Sequence, residues 1–266
     1  MVNRTKQKTI NPLKIYEGNS KHEKLISLYS EWYGCTKCLL STFRSHPVNP
    51  DEIVFGSGLA YKTTIMIIGE APGEEEELQI TPFVGESGKL LNQLIALATD
   101  DPTLIDLREK ERALRKKKEK ELAAEELQIA VNNWRETHCF ITNVVMCRPP
   151  ENRSPTDQEV RICWERLMNT IYIVDPILIV AIGKAALSVL TKKSKVEITK
   201  YRGHLLDVEF DGLVGKVIYP MIPTFHPAYL LRKADWKLEN GDFAKACQDW
   251  IHIFKTAKLL KEQEYA

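Results

Sequence analysis

Short apolar runs recur along the chain, and stretches with the period of a helix lie between them. Thr64–Ile68, Phe140–Val145, Ile177–Ile182 and Val217–Ile222 read as buried strands. Glu86–Ala98 sets Leu90, Leu91, Leu94, Ile95 and Leu97 mainly on one side, and Gly183–Leu190 follows the third run directly. Thr156–Val174 opens with the capping box Thr156-x-x-Glu159, in which each side chain satisfies the other residue's free N–H. This alternation predicts an α/β fold, a three-layer αβα sandwich around a central four-stranded parallel sheet. Ligands in such folds lie beyond the carboxyl ends of the strands. Glu70, Asn143, Gly183 and His226 all fall at or just past such ends.

Two segments stand outside this pattern. Residues 1–24 are polar and without a period, and read as an N-terminal arm on a single domain spanning 25–266. Residues 100–135 include "REKERALRKKKEKELAAEEL", with opposite charges four apart, as in Glu111 and Arg115. That segment reads as one exposed, solvated helical insertion, dispensable for chemistry and offering a surface to a partner. No run approaches the roughly 20 apolar residues of a membrane span. The first residues hold no apolar core of a secretory signal, so a cytoplasmic location is expected. A net charge of +1 argues against a protein that coats nucleic acid non-specifically, although a local basic groove stays compatible with it.

The candidate chemistry gathers in two places. "GEAPGEEEELQITPFVGESG", from Gly69 to Gly88, follows the first strand and combines carboxylates with Phe83 in a Pro- and Gly-broken loop. A surface turn has no need of the phenylalanine, and a core segment has no room for the carboxylates. The loop is suited to hold something flat beside something charged. Cys35-x2-Cys38 and Cys147-x15-Cys163 form two pairs whose thiolates suit either Zn²⁺ or an iron–sulfur cluster. Cys139 and Cys247 remain over and read as small buried hydrophobes.

"GEAPGEEE", "PFVGESGKLL", "ITNVVMCRPPENRSP", "YRGH" and "PTFHPAYLLR", in this order and downstream of CxxC, resemble the family 4 uracil-DNA glycosylases. The resemblance runs from about Leu25 to Arg232, apart from the charged insertion. It implies a [4Fe–4S] cluster of structural role on Cys35, Cys38, Cys147 and Cys163, and uracil-containing DNA, single- or double-stranded, as substrate. The family's stacking aromatic matches Phe83, and its uracil-reading amide matches Asn143. His226 matches the donor to the departing base. Glu70 is expected to position water with Asn152 as helper, since Ala71 stands where better-known uracil glycosylases carry aspartate. Glu76 matches a glutamate at the C5 edge of uracil, where it would exclude a thymine methyl. Leu230 resembles the wedge that fills the gap left by a flipped base. Arg232 and Arg202 are expected at phosphates, with Arg148 and Arg153 as further candidates.

Two positions depart from the family pattern: Ile80, usually glycine, and Met146, usually lysine. The first is expected to narrow the pocket entrance. The reading is therefore a monomeric, monofunctional DNA-repair hydrolase, with the insertion open to a replication or repair partner. The alternatives are a non-catalytic DNA-binding or scaffolding relative, or a glycosylase for another damaged or modified base.

Overall fold

A computed structural model describes residues 13–60, 65–233 and 240–264. Residues 1–12 of the expected arm, and Thr64 of the first expected strand, lie outside them. The four expected strands form as β1 (Ile65–Gly69), β2 (Cys139–Asn143), β3 (Leu178–Ile182) and β5 (Lys216–Thr224), all mutually parallel where they pair. A fifth, β4 (Leu206–Asp211), joins antiparallel to β5 and gives the order β2-β1-β3-β5-β4. β4 is an edge strand in which only Val208 and Phe210 are buried, so it lacks the continuous apolar run that marks the others.

Period-two alternation assigns each strand residue to one of two cores. Met66, Ile68, Phe140, Ile179, Ala181 and Met221 face α1 (Lys21–Trp32), α6 (Asp157–Val174) and α7 (Gly183–Thr191). Ile65, Ile67, Ile141, Leu178, Val180 and Ile222 face α3 (Glu86–Ala98) and α10 (Asp242–Glu264), with part of the insertion. The result is the expected three-layer sandwich. α1 starts at Lys21 behind its own capping box, Ser20 with Glu23, so four residues counted with the arm belong to a helix.

The insertion is not one solvated helix. It is a hairpin of α4 (Pro102–Ala113) and α5 (Lys117–His138), and Glu111 pairs across it with Lys120 at 3.5 Å, not with Arg115. Its inner face is core: Leu104, Leu127 and Val131 are buried against the α3 side of the sheet. Arg108 donates to the carbonyl oxygen of Ala96 at 2.9 Å, covering the last turn of α3. Deletion of the whole hairpin would therefore open the second core.

Ile80 ends α2 (Glu74–Gln79) in the left-handed region, φ 51°, and does not border the cavity described below. A β-branched side chain is strained there, which explains why glycine suits the position. Ile80→Gly is expected to raise stability by roughly 1 kcal/mol, read as a higher denaturation midpoint at unchanged slope.

Candidate active site

The sheet order reverses at β1, which lies between β2 and β3, and a cavity of about 850 Å³ opens at the carboxyl ends of these strands. The β1–β2 register sets Gly69 beside Asn143. Gly69 is a steric necessity: a Cβ would collide with Asn143 Oδ1 and with the edge of the Phe83 ring. Gly183, at φ +88°, lets α7 start directly from β3, and its missing side chain leaves room for His226. The Phe83 and His226 rings stand 5.9 Å apart, tilted by 34°. Glu70, Ala71, Glu76, Phe83, Asn143, Asn152, His226 and Arg232 all border the one cavity. Sequence positions up to 162 apart are thus brought to the wall of one cavity, as with Glu70 and Arg232.

Two acceptors here have no partner. Asn143 Oδ1 and Glu70 Oε1 are buried and accept no hydrogen bond. Buried polar atoms are almost always paired, so a pair of exceptions in one cavity marks a place for a ligand's donors. His226 has a defined tautomer: Nδ1 accepts from the Ala228 N–H at 3.1 Å, which leaves the proton on Nε2. Burial, with Arg232 adding repulsion, lowers its pKa to about 4, so the ring is neutral at pH 7 and acts as a donor through Nε2–H.

Four expected residues have other occupations. Glu76 accepts from the N–H groups of Gly73, Val84 and Gly85 at 3.1, 2.9 and 2.9 Å, so both its oxygens brace the loop. Leu230 is fully buried in the second core, because α9 (Pro227–Leu231) turns it inward, and the exposed apolar side chain is Leu231. Arg202 points inward, donating through Nε and Nη2 to Asp249 at 2.9 and 2.5 Å, with its guanidinium over the Phe225 ring. Asn152 sits at the cavity mouth in a left-handed conformation, φ 54°, and accepts from Arg148 Nε at 2.8 Å. Arg232 is exposed at the mouth. Lys184, which borders the same mouth at the first turn of α7, was missed, since nothing in its local sequence distinguishes it from a surface lysine.

The cysteine corner lies beside the first core. Cys147 and Cys163 are buried in it, Cys35 and Cys38 pack against it, and none of the four is in a disulfide. Burial pushes Cys147 up to about 12 and also raises Cys38 and Cys163, and neighbouring members of the set add to each. The charges of Arg44 and Arg166 act in the opposite sense, as do amide bonds from Leu40 and Ser41 to Cys38 and from Met146 to Cys163. A soft cationic group is what such a donor set accommodates. Among the described residues no three His, Cys, Asp or Glu side chains converge on a single-ion site. Met146 is buried next to this corner.

Fold and cavity together define an α/β sandwich protein with an aromatic- and amide-lined cavity at the switch point of its sheet. Residues 55–251 match the family model described as "Uracil DNA glycosylase superfamily". The chain is 36% identical over 219 residues to the Type-4 uracil-DNA glycosylase of Thermotoga maritima, covering 82% of this chain and 89% of that one. It is 34% identical over 204 residues to the Type-4 uracil-DNA glycosylase of Saccharolobus solfataricus, covering 74% and 72%. The chain belongs to the uracil DNA glycosylase superfamily. No helix among the described residues is long and apolar enough to cross a membrane.

Proposed function

We propose that this protein hydrolyses the N-glycosidic bond of deoxyuridine in DNA, releasing uracil and leaving an abasic site. The observation that carries the reading is the unpartnered, buried Asn143 Oδ1 in a cavity walled by Phe83. A uracil flipped out of the DNA stack would lie on the Phe83 ring. Asn143 Oδ1 accepts its N3–H, and the amide nitrogen donates to O4. Cytosine presents the reverse pattern and would leave both pairs unmade.

As C1′–N1 breaks, negative charge gathers on the ring and positive charge on the sugar. The Nε2–H of neutral His226 donates to O2, where the negative charge grows. Glu70 turns a water toward C1′ and opposes the sugar's positive charge. The C1′–O bond forms as the water's proton passes to the carboxylate, and uracil departs as an anion. Asn152, its Oδ1 held by Arg148, offers its amide nitrogen at the mouth. Arg232, with Lys184, meets phosphates, and the exposed Leu231 fills the gap left in the duplex. Ala71 leaves space against the base.

Cys35, Cys38, Cys147 and Cys163 would hold a [4Fe–4S] cluster whose contribution is structural, linking the segment after α1 to β2 and α6. On this reading the enzyme acts as a cytoplasmic monomer, and the outward, charged face of the α4–α5 hairpin is where a replication or repair partner would dock. The deciding assay incubates the protein with uracil-containing single- and double-stranded oligonucleotides and then treats them with alkali. Strand scission at uracil, with free uracil recovered, is expected, and intact strands in both cases would refute the activity.

Protein purified without oxygen is expected to be brown and to carry four irons per chain. Cys163→Ala is expected to lose the colour and most of the soluble yield, because cluster binding and folding are coupled. Stoichiometric zinc in place of iron would overturn the cluster assignment.

A further inference from the structure

Phe83 holds φ +55°, in the left-handed region. A bulky residue there costs about 1–3 kcal/mol and persists only where its surroundings over-determine it. Two buried side chains grip the turn, one through its N–H groups and the other through its carbonyls. Glu76 takes its N–H groups, those of Val84 and Gly85. Arg135 takes its carbonyls, donating Nη1 to Phe83 O at 3.3 Å and Nη2 to Pro82 O at 3.4 Å. Gly88 gives the Phe83 carbonyl its room, since a Cβ there would collide with it.

Arg135 belongs to the last turn of α5, within the charged insertion, and is 3% exposed. Among the described residues it forms no ion pair with a carboxylate. A buried charge so placed is expensive unless its donors are used well. Nη1 also donates to Asn92 Oδ1 at 2.6 Å, and the Asn92 amide donates in turn to Gln128 Oε1 at 2.8 Å and Asn132 Oδ1 at 2.9 Å. The network joins α3, α5 and the Phe83 turn, and a guanidinium's planar fork is what reaches two adjacent carbonyls and an amide at once.

We propose that Arg135 is a positioning residue: the insertion's own helix sets the angle of the aromatic wall on which the base stacks. This rests on the reading of Phe83 as that wall. It also makes α5 part of the pocket's frame, in contrast to a dispensable appendage.

The test compares Phe83→Ala, Arg135→Met, Arg135→Lys and the double variant Phe83→Ala/Arg135→Met. Single-turnover uracil release, affinity for uracil-containing and undamaged oligonucleotides, melting and iron content are measured for each. Arg135→Met is expected to lower the single-turnover rate roughly 10- to 100-fold per folded molecule, the scale of a small misplacement in a reacting geometry. Binding to undamaged DNA should stay within about twofold, because the variant touches the base wall and not the phosphate contacts. Arg135→Lys should recover part of the loss. In the Phe83→Ala background, Arg135→Met should add less than about threefold, since the two changes act through one wall.

Arg135→Met at the parent rate, or a loss that only tracks the unfolded fraction, would overturn the proposal, and so would full additivity in the double variant. Should Arg135→Met fail to fold, Arg135→Lys and Asn92→Ala carry the same comparison: a per-molecule loss absent in the Phe83→Ala background supports it, and parent rates sink it. If Phe83→Ala itself keeps the parent rate, the stacking reading fails first, and that outcome is distinct from an impaired Phe83→Ala beside an unimpaired Arg135→Met.

Discussion

His226→Ala is expected to lower single-turnover release of uracil by roughly two to three orders of magnitude, the usual cost of one preorganised donor to a developing anion. Binding to uracil-containing DNA should weaken little, because the charge that Nε2–H meets exists only in the transition state. The preference for uracil over cytosine should survive, since His226 does not read the N3 and O4 edge. The pH dependence follows from the ring's neutral state. Its pKa in the fold is lowered to about 4, so its donor proton stays on a neutral ring through the mildly acidic range, and the rate should show no inflection near 6.5 from this residue. Stability has the opposite sensitivity. Below about pH 6.5 the unfolded chain takes up a proton that the folded ring refuses, so this residue's contribution is lost progressively from there down to about pH 4. In His226→Ala that part of the acid destabilisation should disappear. Single-turnover rates, DNA affinities and thermal melts across pH check all of this, and a parent rate in the variant would place the pocket elsewhere.

Asn143→Asp is expected to abolish most uracil activity, by roughly two orders of magnitude or more, for a different reason. The amide donor toward O4 becomes an acceptor, and the buried site beside Gly69 loses a matched pair. The backbone should stay in place, because the buried Arg166 guanidinium donates to the Asn143 and Val144 carbonyls at 2.6 and 3.0 Å and not to the changed side chain. If the new carboxyl is protonated, its O–H faces a cytosine N3 and its carbonyl accepts from N4–H₂, so weak release of cytosine is the accompanying expectation. Matched uracil and cytosine oligonucleotides measure both. Full activity with unchanged selectivity would show that this amide does not read the base.

The two variants divide labour between residues that lie 83 positions apart in the chain, and the sequence by itself places both at strand ends. It can do so because β2, which ends at Asn143, and the last four residues of β5, which precede His226, are buried on both faces, as are β1 and β3, and this forces near-continuous apolar runs whose ends are easy to see. Thr156 and Glu159 marked the start of α6 for a similarly local reason, a capping box written in four residues. The cysteine pairs and the separated motifs carried the family.

Contacts between distant segments were not legible. β4 alternates Leu206, Val208 and Phe210 with polar residues, but a half-solvated edge strand gives a faint signal. α4 and α5 have a charged surface that hid the buried Leu104, Leu127 and Val131, because charge density reports only the face that water sees. Leu230 and Leu231 are identical letters, and only the direction in which α9 turns decides which is core and which is exposed. Arg202, Glu76 and Arg135 are polar residues whose tasks depend on what lies opposite: Asp249 for the first, three backbone amides for the second, two carbonyls of the Phe83 turn for the third. The sequence by itself determined the layers, the strand ends and the chemistry available there, since burial period and local capping are properties of neighbouring residues. Only the tertiary structure decided which polar groups are spent on holding the loops and which, like Asn143 Oδ1 and Glu70 Oε1, are left unpaired in the cavity, because a hydrogen bond's partner is chosen by proximity in space.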